Sequence, residues 1–370
     1  MNILILNWRD PLHPLAGGAE IALLEHAKYW NKKGANITWF ASGFSGAKKE
    51  EEFNEIKIIR RGSHFTVHMM FFLYWLRYGA DDYDVIIDCF HFLPFFTPLF
   101  LKRKKIIAFI HEVAGKLWYL NLYYPLAWVG YHLEPYFFLF YKQILFITPS
   151  DSAKNDLIKL GIHKKNISVI HNGVTLERVN NSIIKEKVPT ILFLNRVSKD
   201  KGIEDALLAF IEIKKIISEV KLWIVGKEES EGELKKLIEK IGISKKINSS
   251  IMYFGFVDQK KKFELLKKAW ILVHPSKKEG WGLTVIEAAS QGTPAVGYDV
   301  EGLRDSIKNN KTGLLTKDNF IDLAKGLERL IKDNKLYSQM SKEAMEWSKK
   351  FNWNISGEKS WKLIKIIYEK

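Results

Sequence analysis

Two carboxylates, Glu279 and Glu287, stand eight positions apart within His274-Pro275-Ser276-Lys277-Lys278-Glu279-Gly280-Trp281-Gly282-Leu283-Thr284-Val285-Ile286-Glu287-Ala288. Between them lies a turn flanked by Gly280 and Gly282, followed by a run that begins a helix. Glycine lets a ligand come close to the backbone. The free N–H groups of a helix start favour an anion such as a diphosphate. Ionised carboxylates are strong acceptors for hydroxyls. The spacing places Glu279 at the mouth of the turn and Glu287 about one turn into the helix. Together these features suit a ligand that joins hydroxyls, a ribose and a diphosphate, which is a nucleotide sugar. On spacing alone the same residues also read as a strand, a tight turn and a surface helix with two solvated glutamates.

A second constellation lies in Leu192-Phe193-Leu194-Asn195-Arg196-Val197-Ser198-Lys199-Asp200-Lys201-Gly202. A strand ends at Arg196, and Lys201 follows in the next loop. Arg grips phosphate bidentately and Lys adds a point charge, so the pair suits a leaving diphosphate; a basic loop at a helix start is the plainer alternative. Gly17-Gly18 falls between the first strand and the first helix. His111 directly follows the apolar run Ile106–Ile110, at the strand end where open α/β sheets place ligands, and His91 competes with it for that role. Ser150, in Thr148-Pro149-Ser150, reads as a helix N-cap. Asn172-Gly173 reads as a turn. Gly226 ends a strand in the second half.

The Glu279–Glu287 segment resembles the E-x7-E signature of retaining glycosyltransferases of family 4, which have the GT-B fold. The resemblance is strongest over about 190–315, reasonable over 1–40 and 145–175, and weak over 60–140. It implies that Glu279 contacts the donor sugar and that Glu287 holds the ribose hydroxyls. Arg196 and Lys201 would neutralise the diphosphate, although Asn195 stands where the family often has Gly. His111 corresponds to a family His at the donor sugar, with Glu112 replacing the commoner Asp or Gly. Gly17, Gly18, Gly226, Val257, Gly280, Trp281, Gly282, Leu283 and Thr284 are expected around the donor, with Val257 near the base and Ser150 and Asn172 lining the cleft. No Asp-x-Asp pair falls among these residues. The resemblance therefore implies retention of configuration without a metal or other cofactor, with the departing phosphate helping to take the acceptor's proton.

These residues need a scaffold of strand ends and helix starts. Short apolar strands alternate with helices in both halves, which predicts parallel, doubly wound sheets. In the first half, strands are expected at Ile3–Asn7, Ile37–Ala41, Val85–Asp88, Ile106–Ile110, Leu145–Thr148 and Ile167–Ile170. In the second half they are expected at Thr190–Leu194, Lys221–Val225, Ile251–Phe254, Ile271–His274 and Thr293–Gly297. The polar stretch from Val179 to Lys187 reads as a linker. The expected fold class is α/β, GT-B: an N-terminal acceptor domain over 1–180, a nucleotide-sugar domain over 187–354, and a last helix, 355–370, crossing back to the first.

The chain has 370 residues, enough for two domains. Its single cysteine, Cys89, excludes an internal disulfide. No stretch is long and apolar enough to span a membrane, and no secretory signal is recognised. The net charge of +15 suits an anionic surface or substrate, but no nucleic-acid motif accompanies it. Aromatic residues crowd 63–141, among them Phe65, Phe72, Trp75, Trp118, Tyr123, Tyr124, Trp128 and Tyr136, framed by Arg60, Arg61, Arg77 and Lys102-Arg103-Lys104-Lys105. Part must be core; the rest suits a membrane interface. The expectation is a cytoplasmic enzyme, peripheral on the cytoplasmic membrane face, that takes a UDP- or GDP-linked sugar to a lipid-linked or glycan acceptor. A sugar-nucleotide epimerase of related fold and an inactive membrane-bound scaffold remain as alternatives.

Overall fold

The computed structural model describes the chain apart from residues 80–81, 102–104, 176–184 and 370, and the side chain of residue 246. Most of the expected linker, and the basic run at 102–104, thus lie outside the described residues. The chain divides into two compact units, Met1–Gly173 with Trp353–Lys370, and Val174–Asn352.

In the first unit the strands are β1 (Asn2–Leu6), β2 (Asn36–Ala41), β3 (Glu50–Phe53), β4 (Ile56–Arg60), β5 (Val85–Phe90), β6 (Ile106–Ile110), β7 (Leu145–Thr148) and β8 (Ile167–Val169). They form one sheet in the order β3-β4-β2-β1-β5-β6-β7-β8. All its pairings are parallel except β3 with β4. Both faces are covered, so β1 is apolar from Ile3 to Leu6. Leu4 and Leu6 enter a core with Phe40, Phe71 and Phe146. Ile3 and Ile5 enter another with Trp30, Trp39 and Ile87. The β3–β4 hairpin was not expected: Glu50-Glu51-Glu52 disguises an edge strand in which Glu50 and Glu52 are exposed and Glu51 pairs with buried Arg60. The C-terminal helix Trp353–Tyr368 packs on the helix Gly18–Lys32. Ser360 Oγ receives the Trp30 indole N–H at 2.8 Å and lies 2.9 Å from His26 Nδ1.

In the second unit the strands are β9 (Thr190–Leu194), β10 (Lys221–Val225), β11 (Ile251–Gly255), β12 (Ile271–His274), β13 (Ala295–Tyr298) and β14 (Gly313–Thr316), in the order β11-β10-β9-β12-β13-β14. All pairings are parallel. The helices Ile203–Ile216 and Phe320–Lys332 bury Leu207, Phe210, Leu323 and Leu327 in one core with the strands.

The aromatic region is both core and surface. Phe71, Phe90, Phe95, Trp118, Phe138 and Tyr141 are buried, whereas Phe65, Tyr123, Tyr124 and Tyr136 are exposed. Within it run two short helices, Leu117–Asn121 and Leu126–Phe137, joined across Pro125. Among the described residues no helix is long and apolar enough to cross a membrane.

Candidate functional site

In the second sheet the strand order reverses between β9 and β12. Parallel sheets leave a ligand crevice beyond the C-terminal strand ends at such a point. Arg196 follows β9 there, and His274 closes β12. Lys201 Nζ donates to Glu279 Oε1 at 2.7 Å, and both side chains are largely buried. Burial opposes ionisation of Glu279. The Lys201 ammonium, His274 and hydrogen bonds from Lys201 and Ser276 outweigh it and hold the carboxyl below its ordinary value. Gly202 has φ +73°, and a Cβ there would lie 2.1 Å from the Pro275 carbonyl oxygen. That close approach presses the Lys201 loop onto the β12 loop. A Cβ on Gly226, at the end of β10, would meet the Asn195 carbonyl oxygen at 1.8 Å. Glycine there thus lets the β9 and β10 ends touch.

Arg196 is half exposed and held by two carboxylates, Glu229 Oε1 at 3.0 Å and Asp200 Oδ2 at 3.2 Å. Gly282 is the N-cap of the helix Leu283–Ser290 and has φ +82°. It brings no side chain to the first-turn amides, which leaves them for a ligand. Glu287 lies one turn along. Its Oε1 accepts from Lys262 Nζ at 2.6 Å, whereas its buried Oε2 has no hydrogen-bond partner. A buried acceptor without a donor is costly, so this oxygen has the chemistry to accept from a hydroxyl. Trp281 packs its ring on Phe351, with centroids 5.0 Å apart. Its buried side chain is committed to that packing. Leu283 and Thr284 are half-buried in the first turn. Val257 is half-buried against the core, beside the exposed ring of Phe256.

His274 and Lys262 received no role from the sequence. His274 is buried, and burial lowers its pKa against the pull of Glu279. Its Nε2 lies 3.1 Å from Thr284 Oγ1, and its Nδ1 3.1 Å from Ser276 Oγ. The neutral imidazole links the β12 end to the first turn of the next helix. Its place at a strand's C-terminal end, inside the motif, was the available signal.

In the first unit the order reverses between β1 and β5. Arg9, after β1, donates to His91 Nε2, after β5, at 2.7 Å. It also pairs with buried Glu20 at 3.0 Å and donates to the Leu15 carbonyl. Glu20 in turn accepts the Gly17 N–H at 2.7 Å. His91 is therefore occupied by Arg9. His111, half-buried after β6, is pushed down to about 4 by burial, with a backbone hydrogen bond at Ala19 opposing and the Arg9 charge adding to the shift. It is a neutral imidazole beside the Gly17-Gly18 turn. A Cβ on Gly18 would meet nothing within 4 Å, and one on Gly17 only Glu20 Oε2 at 3.9 Å. Ser150 caps the helix Asp151–Lys159 through Ala153 N at 3.1 Å, so its hydroxyl has a structural task. Asn172 is buried with Oδ1 unpartnered. Arg9, Glu20 and the buried Arg60–Asp10 pair received no site role from the sequence, because the partners stand 11 and 50 positions apart and no periodicity records such pairings.

This site can bind an anion flanked by hydroxyls, with cations, first-turn amides and two carboxylates in one crevice. The glycosyl transferases group 1 family matches residues 176–347, and glycosyltransferase family 4 matches residues 16–178. The chain belongs to this glycosyltransferase family, and its two parallel-sheet units are those of the GT-B fold. It is an enzyme of the transferase class. An uncharacterized glycosyltransferase of Methanocaldococcus jannaschii is 26% identical over 96% of each chain. Sucrose-phosphate synthase from Thermosynechococcus elongatus superposes with TM-score 0.80 at 19% identity, covering 100% of this chain and 99% of that one. Anabaena HepE in complex with UDP-glucose does so with TM-score 0.77 at 17% identity, covering 99% of each.

Proposed function

We propose that this chain transfers a sugar, with retention of configuration, from a UDP- or GDP-linked donor to a lipid-linked or glycan acceptor on the cytoplasmic face of a membrane. The observation that carries the donor reading is Glu287, whose buried, unpartnered Oε2 sits in the helix that opens at Gly282. The ribose hydroxyls donate to it, and the diphosphate lies on the first-turn amides of Leu283 and Thr284. Arg196 and Lys201 meet the charge that builds as the bond from the sugar's anomeric carbon to phosphate oxygen breaks. The acceptor oxygen bonds to that carbon on the same face. Its proton passes to the departing phosphate, and the nucleoside diphosphate leaves. Glu279, kept ionised by Lys201, accepts from donor-sugar hydroxyls. His111 is neutral and is the first unit's candidate for a contact with the sugar. The glycines at 17 and 18 meet no packing demand of the chain, which supports close ligand approach there. The cations and the helix start answer the diphosphate charge, so no divalent ion is required. UDP-glucose, bound in the HepE structure, is the first donor to try.

The membrane part of the reading rests on the net charge of +15 and on the exposed rings of Phe65, Tyr123, Tyr124, Trp128 and Tyr136. The donor part is tested by titrating UDP and GDP into the protein and its Glu287→Ala variant. One nucleotide is expected to bind, with affinity falling ~10-fold or more in the variant, since a hydrogen bond to a charged group contributes about 1.5–3 kcal/mol. Equal affinity in both proteins would refute this placement of the ribose.

A further inference from the structure

Beyond the strand ends β2 and β4 of the first unit lies a pocket of about 330 Å³ that includes Lys48, Lys49, Arg60, Arg61 and Met70. Its floor is fixed. Gly43 N donates to the Gly62 carbonyl at 2.9 Å, and Arg60 N to the Lys49 carbonyl at 2.8 Å. Arg60 is buried and bound to Asp10 and Glu51, while Arg61 pairs with Glu50. The acidic neighbours are thus matched to the two arginines. Lys48 and Lys49 are exposed and have no carboxylate partner among the described residues. The pocket therefore holds uncompensated positive charge over a rigid base.

Arg60 links the pocket to a ring cluster beside it. Arg60 lies 4.9 Å from the Phe44 ring centroid. Phe44 lies 5.1 Å from His13, and Trp8 lies 5.4 Å from His13 and 4.2 Å from His64. The Trp8 indole N–H is buried without a partner. Burial, then the Arg9 charge, holds His13 at about 4 and lowers His64. Both imidazoles are neutral near pH 7; His13 Nδ1 accepts the Leu15 N–H at 3.1 Å, which leaves its Nε2–H to donate. Aromatic edges and neutral imidazoles suit the hydroxyls of a sugar ring, and clustered cations suit a phosphate.

We propose that this pocket binds the phosphate of a phosphate-bearing sugar acceptor, with Lys48, Lys49 and Arg61 on the phosphate and His13 and His64 on the adjoining sugar ring. The proposal rests on the transferase reading for the word acceptor, but its binding test does not. The full chain is titrated with glucose 1-phosphate and with glucose, and bound to phosphatidylglycerol vesicles. The same is done for Lys48→Ser/Lys49→Ser and for Lys235→Ser/Lys236→Ser, which removes equal charge elsewhere. Glucose 1-phosphate is expected to bind at least tenfold more tightly than glucose. The Lys48/Lys49 variant should lose at least tenfold, and the Lys235/Lys236 variant less than twofold. Equal binding of the two sugars, or equal losses in the two variants, would overturn the site. So would loss of vesicle binding alone with glucose 1-phosphate unaffected, because the lysines would then serve a membrane. Failure of UDP to bind would sink the transferase reading and leave these outcomes readable.

Discussion

At the residue scale, buried charges in the second unit hold one another in place. Lys201 and Glu279 are a largely buried pair at 2.7 Å, and removing one partner of such a pair leaves the other uncompensated. Lys201→Ala should therefore destabilise the second unit by on the order of 3 kcal/mol near pH 7. The pH dependence follows from Glu279, whose folded pKa lies below its ordinary value. It contributes stability that is present above the unfolded pKa and is lost as pH falls through the folded one. In the variant both contributions of Lys201 are lost while those of His274 and Ser276 stay, so burial weighs more, the carboxyl pKa moves up and the contribution at neutral pH shrinks. Melting temperatures between pH 3 and 7 should converge for the two proteins at the acid end and diverge toward neutrality. A gap that stays constant with pH would contradict the pairing. The Glu279–Glu287 spacing was legible because both residues flank one turn and share one helix start. Lys262 and His274 were not, since each is defined by a partner 25 and 10 positions away, and no periodicity records such pairings.

At the element scale, the alternation of apolar strands with helices sufficed to predict β1, β2, β5–β8 and β9–β13 to within a residue or two at most ends. Strands buried on both faces read as continuous apolar runs, so Ile106–Ile110 and Thr190–Leu194 needed no tertiary information. The β3–β4 hairpin did need it. Glu50-Glu51-Glu52 has low strand propensity, and the strand forms because β4 offers an edge and Arg60 and Arg61 pair with its glutamates. A further element-level device is Lys185, which enters β9's side of the second unit and donates to the Ala269 carbonyl at 2.9 Å and Thr293 Oγ1 at 2.6 Å. Burial lowers its pKa to about 7. Between about pH 7 and the unfolded value the unfolded chain carries a proton the folded chain lacks, so stability should rise with pH across that window. Below it the full cost of a buried cation applies. Lys185→Met should flatten the rise, as denaturant midpoints from pH 6.5 to 10 would show; an unchanged slope would place the titration elsewhere.

At the scale of the whole molecule, the exposed rings of the helices Leu117–Asn121 and Leu126–Phe137 and the basic composition predict binding to anionic bilayers. Glu134 ties these helices to the loop after His111, accepting from Ala114 N at 2.8 Å, Gly115 N at 2.7 Å and the Trp118 indole at 3.2 Å. Flotation with phosphatidylglycerol vesicles should carry the protein upward, and Tyr123→Ser/Tyr124→Ser/Trp128→Ser should weaken it several-fold; a protein that stays wholly at the bottom of the gradient would remove the membrane from the account. The central claim is transfer from a nucleotide sugar with retention. Its most direct measurement is the anomeric proton spectrum of the first sugar product formed from an α-linked UDP- or GDP-sugar in the presence of EDTA. The account predicts release of nucleoside diphosphate and an α-configured product at undiminished rate, and a β-configured product, or turnover abolished by EDTA, would contradict it.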